Sequence, residues 1–69
     1  MNTMQITHSD GRIEVVTDVT YLGDGLYGWY DGFNFWLGAP RETGWECVAL
    51  EPATLYSFIR WLKQKGIEL

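Results

Sequence analysis

Leu26-Tyr-Gly-Trp-Tyr-Asp-Gly-Phe-Asn-Phe-Trp-Leu37 is the stretch whose reading decides the fold of this chain. Apolar and aromatic residues flank Asp31-Gly32. Asp-Gly in that setting is the strongest short-range hairpin signal, because a type I′ turn needs positive φ at both central residues. A two-residue turn sets Tyr30 opposite Phe33, Gly28 opposite Phe35 and Leu26 opposite Leu37 on one side of the sheet. Tyr27 then opposes Trp36, and Trp29 opposes Asn34, on the other side. Gly28 leaves room for the ring of Phe35 or for a packed helix. Both sides are rich in rings, yet a small one-layer sheet turns only one of them to a core.

The flanking segments extend this hairpin into a sheet. Residues 12–22 are rich in Val, Ile, Thr and Tyr, which suit a strand. Their imperfect alternation predicts a bulge near Asp18. Gly23-Asp24-Gly25 turns the chain into the hairpin. Residues 38–44 read as a loop, with Pro40 stopping the strand. Residues 45–50 form the next strand, with Val48 and Leu50 toward the core and Cys47 and Ala49 away from it. Pro52 is preorganised for a first helical position, and Glu51 suits the positive end of a helix dipole. Leu55, Phe58, Ile59 and Leu62 recur at i, i+3, i+4 and i+7, one apolar stripe, and Gly66 is a natural stop. Residues 1–11 either fray or form a short first strand turning at Asp10-Gly11.

The fold class expected is α+β: a three- to five-stranded antiparallel β-meander over 12–50, with one C-terminal helix over 52–65 packed across one face. A single domain spans 1–69. The expected core is Leu26, Tyr30, Phe35, Leu37 and Val48 with Leu50, Leu55, Phe58, Ile59 and Leu62.

Composition narrows the class. The chain has 69 residues, 46% of them hydrophobic, and eleven aromatic rings. So short a chain buries only about 60% of its unfolded surface, so an aromatic core or self-association has to supply stability. The single cysteine, Cys47, excludes an internal disulfide and fits a reducing compartment. The first residues lack the basic and apolar regions of a signal peptide, and no apolar run approaches a transmembrane length, so a cytoplasmic address is expected with no membrane partner. The net charge is −4, unevenly spread: residues 1–51 hold eight acids and two bases, whereas Arg60, Lys63 and Lys65 lie in the remainder against Glu68. An acidic sheet argues against direct nucleic-acid binding, which needs clustered Lys and Arg, and allows contact with a basic protein surface.

Tyr21-Leu-Gly-Asp-Gly-Leu-Tyr27, then Asp31-Gly32, then Leu50-Glu-Pro52 resemble a group of small phage and prophage proteins. Those carry a Tyr-Leu-Gly-Asp-Gly-x-Tyr block, an Asp-Gly hairpin and a Leu-Glu-Pro lead into a terminal helix. The resemblance covers about residues 21–62 and leaves 1–18 outside it. It implies a phage accessory protein, a class that includes inhibitors of host defence, anti-CRISPR proteins among them, and sponges for nucleotide signals. The shared residues are turn and cap formers, so the resemblance says little of mechanism.

Catalytic and cofactor motifs are weak. Gly23-Asp-Gly-Leu-Tyr-Gly28 matches the dinucleotide fingerprint, but a hairpin follows where a helix is required. His8 reads as an exposed bystander and Cys47 as a small packed residue. Asp24 and Asp31 sit where turns favour aspartate. No spacing of His, Cys and carboxylates suits a metal. Neither an enzyme nor a cofactor is expected.

The expected partner-binding surface is the side away from the helix stripe: Tyr27, Trp29 and Trp36, with Asp31 and Asn34 as a polar rim. Exposed Trp and Tyr clusters mark contact sites. The readings left open for that side are ladder stabilisation, cover by the N-terminal segment, a second subunit, or a reversed assignment that puts Trp29 and Trp36 inside. The function expected is a non-enzymatic inhibitor that contacts a host protein. The alternatives are a sponge for a nucleotide ligand and a self-associating structural or virion component, and a homodimer is expected from the surplus of rings and the open sheet edges.

Overall fold

The computed structural model describes residues 2–69, and Met1 lies outside them, so the expectation for 1–11 is met from Asn2 onward. Six strands precede one helix: β1 (Thr3–Thr7), β2 (Ile13–Thr17), β3 (Thr20–Gly23), β4 (Leu26–Tyr30), β5 (Phe35–Arg41), β6 (Gly44–Leu50) and α1 (Pro52–Gln64). The class is α+β, with more strands than expected and in two sheets: a β1–β2 hairpin and an antiparallel meander in the order β3-β4-β5-β6. The hairpin covers one face of the meander, and α1 lies against the other.

The single strand expected over 12–22 is broken at Asp18, whose φ of 54 is left-handed, a region Asp tolerates better than most residues. The break is larger than a bulge, because the chain changes sheets there. β2 pairs with β1, Met4 facing Val16 and Ile6 facing Glu14, while β3 pairs with β4. Asn2 fastens the corner: its Nδ2 donates to the Val19 carbonyl at 2.8 Å, and its own carbonyl accepts the Asp18 N–H at 2.7 Å. Residues 2–11 thus supply a strand, and the turn expected at Asp10-Gly11 forms, with the Gly11 N–H donating to the His8 carbonyl at 2.9 Å.

The central hairpin is present, but its register differs from the expected one by two residues. Tyr30 pairs with Phe35, Trp29 with Trp36, Gly28 with Leu37 and Tyr27 with Gly38. The turn therefore spans residues 31–34. Its cause is the Asp31 carboxylate: Oδ1 accepts the N–H groups of Phe33 and Asn34 at 2.8 and 2.7 Å, which holds a longer loop than a type I′ turn. The two-residue Asp-Gly turn forms instead at Asp24-Gly25, where both φ values are positive (56 and 80) and Gly23 pairs with Leu26. A shift of two leaves each side chain on its expected side of the sheet.

The loop expected over 38–44 is mostly strand. β5 runs on to Arg41, which pairs with Gly44 across Glu42-Thr43, and Pro40 pairs with Trp45 inside it. Proline is tolerated because β4 reaches only as far as Gly38, so position 40 has no partner on that side. α1 begins at Pro52 as expected and ends at Gln64, with Lys65 as its cap and Gly66 turning the chain away at φ 90; the Gly66 and Ile67 N–H groups return to the Lys63 and Leu62 carbonyls.

The core lies on the opposite side of the meander from the expected one. Ile6, Val16, Val19 and Trp29 are its buried members, with Met4, Tyr27, Trp36, Trp45 and Cys47 packed against them. Trp29 is only 6% exposed. Its indole lies across Gly38 so closely that a Cβ there would meet ring carbons at 2.7 and 2.9 Å. By contrast Tyr30, Phe35 and Val48 are about half exposed, and no residue of α1 is fully buried. Gly28 leaves its space to Leu22, not to Phe35. Two layers of strand close a core because the hairpin meets the meander along its rings, whereas α1 leaves the end of β6 and touches the sheet near that strand.

Candidate binding surface

The five residues expected to face a partner come together around the 31–34 turn and the hairpin core, where they hold the fold together. Trp29 is buried, which corrects its placement on an open side. Trp36 is half-buried; its ring stacks on Trp29 with planes 4° apart and centroids 6.2 Å apart, and its indole N–H donates to Asp31 Oδ2 at 2.8 Å. Tyr27, half-buried, sits between Tyr21 and Trp45, with centroids 5.0 and 5.2 Å away. Asn34 is half-buried, and its Oδ1 has no hydrogen-bond partner among the described residues. Asp31 is exposed, and three donors converge on it. The Trp36 indole N–H first, then the backbone N–H groups of Asn34 and Phe33, hold its carboxyl below the usual value of 3.8. Of the readings left open for this side, two are observed together: the N-terminal segment covers it, and the assignment of faces is reversed, with Trp29 in the core and Trp36 packed against it.

His8 is not a bystander. It is 8% exposed, its Nε2 lies 2.8 Å from Glu14 Oε1, and it bridges to Trp45 in parallel sense, tying β1 to the β6 edge. Gly44 makes this approach possible: at φ 129, a Cβ on it would meet the His8 backbone at 2.8 Å. Cys47 is packed as expected. Burial pushes its thiol up, and the carboxylates of Glu14 and Glu46 push the same way, the reverse of what an activated nucleophile requires. Among the described residues no group of three or more His, Cys, Asp or Glu could hold a metal ion, and no helix is long and apolar enough to cross a membrane.

What the sequence reading missed is the surface on the other side. The meander and α1 diverge to leave an apolar hollow of about 440 Å³. Leu22, Tyr30, Phe35 and Leu50 form its sheet wall, and Leu55 and Phe58 its helix wall. Tyr30 and Phe35 stack at 4.5 Å across the strand pair, and Phe58 and Trp61 lie 6.0 Å apart along the helix ridge. Leu22 is 54% exposed and Trp61 52%. These rings are where interfaces concentrate binding energy, since they bring large area with few rotatable bonds. The sequence signal for it was present but read as core: strand and helix periodicities matched, and the helix lies at one edge of the face it was expected to cover.

Comparison of the chain with protein-family models, with curated proteins and with solved structures finds no match.

Proposed function

We propose that this chain is a non-enzymatic accessory protein that acts by protein–protein contact, through the open face between the meander and α1. The observation that carries the reading is that face itself: a continuous set of exposed rings and aliphatic side chains on a domain this small. Monomeric soluble proteins rarely leave contiguous apolar patches of that kind uncovered unless they bind something. The resemblance to small phage and prophage proteins supports the finer reading, an anti-CRISPR-like inhibitor of a host defence system. A nucleotide sponge is the less favoured reading, because the hollow is lined by one acid, Asp18, and by no Lys or Arg to receive phosphates.

The test is phage plating on bacteria that carry one defence system at a time, with and without this protein expressed. Wild-type protein is expected to restore plating against one system. Phe35→Asp and Phe58→Asp, folded by circular dichroism, are expected to lose that effect, while Val15→Asp on the outer face of the hairpin keeps it. Full inhibition by both open-face variants would overturn the reading.

A further inference from the structure

We infer that the occupant of the open face is a second copy of this chain, packed about a two-fold axis. The inference rests on the reading of that face as a protein-contact surface and names what it contacts: the face joins two copies, and the assembled dimer is the form that meets any host target, so variants that open the face lose inhibition by losing the dimer. A folded monomer of 8.0 kDa exposes about 4,450 Å², whereas this chain exposes 5249 Å². The excess, roughly 800 Å², equals what one partner loses in a standard protein–protein interface. The radius of gyration agrees: it is 13.3 Å, against about 11 Å for a compact chain of this length.

The helix supplies a second argument. α1 has 13 residues and no fully buried side chain. Helices of that length are marginal in water and take their stability from packing an apolar face. Leu55, Ile59 and Leu62 are only half covered, and Phe58 and Trp61 stand open beside them. A helix that needs cover in every molecule needs a partner present whenever the chain is, and another copy meets that condition.

Charge supplies the third. A two-fold interface must be self-complementary, since patch i meets patch j and j meets i. This chain carries both halves. Lys63 and Lys65 end the helix, with Lys65 four residues beyond Trp61 on the same ridge, while Asp18 lines the hollow and Asp31 follows Tyr30. Docking the Phe58–Trp61 ridge of one copy against the Leu22–Tyr30–Phe35 wall of the other sets cationic helix ends near acidic sheet ends twice over.

Sedimentation velocity on the full chain, from micromolar to near-millimolar concentration, tests this. The expected result is a species of twice 8.0 kDa that dissociates on dilution and is weakened by added salt. Phe58→Glu and Trp61→Glu should each raise the dissociation constant at least tenfold, with the far-ultraviolet circular dichroism unchanged as proof of an intact fold. Val15→Glu, at an exposed site outside the face, should leave it unchanged. A dimer that survives both helix variants, or that Val15→Glu breaks, overturns the inference, and a salt-independent dimer overturns the charge-paired arrangement. A wild-type monomer at every concentration also overturns it. In that case 1-anilinonaphthalene-8-sulfonate separates the two failures: dye bound by wild type and lost in Phe58→Glu leaves the contact face standing for another protein, whereas no dye bound removes the face as well.

Discussion

The two faces of the four-stranded sheet carry similar rings and meet different covers. Beneath the β1–β2 hairpin, Trp29 is 6% exposed, and Ile6 of the hairpin above it is 0% exposed; beside α1, Tyr30 is 51% exposed and Phe35 46%. Attachment explains part of the difference. The hairpin is held at both ends, by Asn2 at the Asp18 corner and by His8 at Trp45. α1 hangs from an edge strand through Glu51 alone. Size matching explains the rest. On the hairpin side the large rings of β4 and β5 lie beside Gly38, Cys47 and Ala49, so a second layer can approach closely. On the helix side Phe35 lies against Tyr30 and Leu50, and Leu37 against Val48; the one small residue, Gly28, has its space filled by Leu22, and the helix is held off. Ring content therefore does not decide which face is core; the place where the covering element is tethered, and the small residues beneath it, do.

Trp29→Ala should break the comparison most severely. It removes the largest buried side chain of the hairpin face, and such truncations cost about 3–5 kcal/mol, most of the stability of a domain this size. Urea unfolding at a fixed protein concentration should find little folded protein. Gly38→Ala comes next. The added Cβ would meet the Trp29 ring at 2.7 and 2.9 Å and Cys47 Sγ at 3.1 Å. The ring is stacked on Trp36 and buried, so it cannot swing aside, and overpacking of this kind costs about 1–3 kcal/mol. The double variant with Trp29→Phe should be less destabilised than the two singles added together, and strict additivity would mean the ring does not lie over Gly38. Phe35→Ala belongs to the open face and should cost only about 1 kcal/mol in the monomer, since roughly half of a full burial of 1.5–3 kcal/mol is at stake. A loss as large as that of Trp29→Ala would put Phe35 in the core after all.

These contrasts show how far the sequence was legible. Propensity and punctuation located most elements: the strand over 26–30, the helix from Pro52 to its stop at Gly66, and the interruption near Asp18. Parity placed Tyr27, Trp29 and Trp36 together on one side, and Tyr30, Phe35 and Leu37 on the other. What failed was choice among things that local sequence leaves equal. Asp-Gly recurs along the chain, and of the two pairs flanking β4 only Asp24-Gly25 makes the two-residue turn. The Asp31 carboxylate instead finds N–H groups two and three residues onward and an indole five residues onward. The buried face depended on residues 2–19: the polar run over 7–11 hid Met4 and Ile6, and Val16 was read as part of one strand running on to residue 22 and not as a partner of Met4. His8 looked solvated because its partner, Glu14, is reached only across the β1–β2 pair.

The smallest effect expected is an acid-side one at the turn that set the register. Asp31 is held below its ordinary pKa of 3.8 by donors that bind the carboxylate form, the Trp36 indole foremost. A depressed pKa contributes stability that is complete above the unfolded value and is lost as pH falls through the folded one. Protonation of Asp31 should therefore loosen the turn only in the window below about pH 3.8. Because the group is exposed, the loss should be a shallow slope and not an unfolding step. Asp31→Asn keeps a side-chain oxygen for the Phe33 and Asn34 N–H groups but removes the second carboxylate oxygen that the indole needs. Its acid limb should be flatter than that of the wild type, with a residual slope from Asp10, which Arg12 holds down by a backbone N–H and its guanidinium. Nitrogen–proton spectra of the indole groups give the direct reading. In the wild type, the Trp36 N–H should titrate with a midpoint below 3.8, and in Asp31→Asn it should stay fixed through the same range. A Trp36 resonance indifferent to pH in the wild type would separate the indole from Asp31, and the four-residue turn would then lose the side-chain bond that ties it to β5.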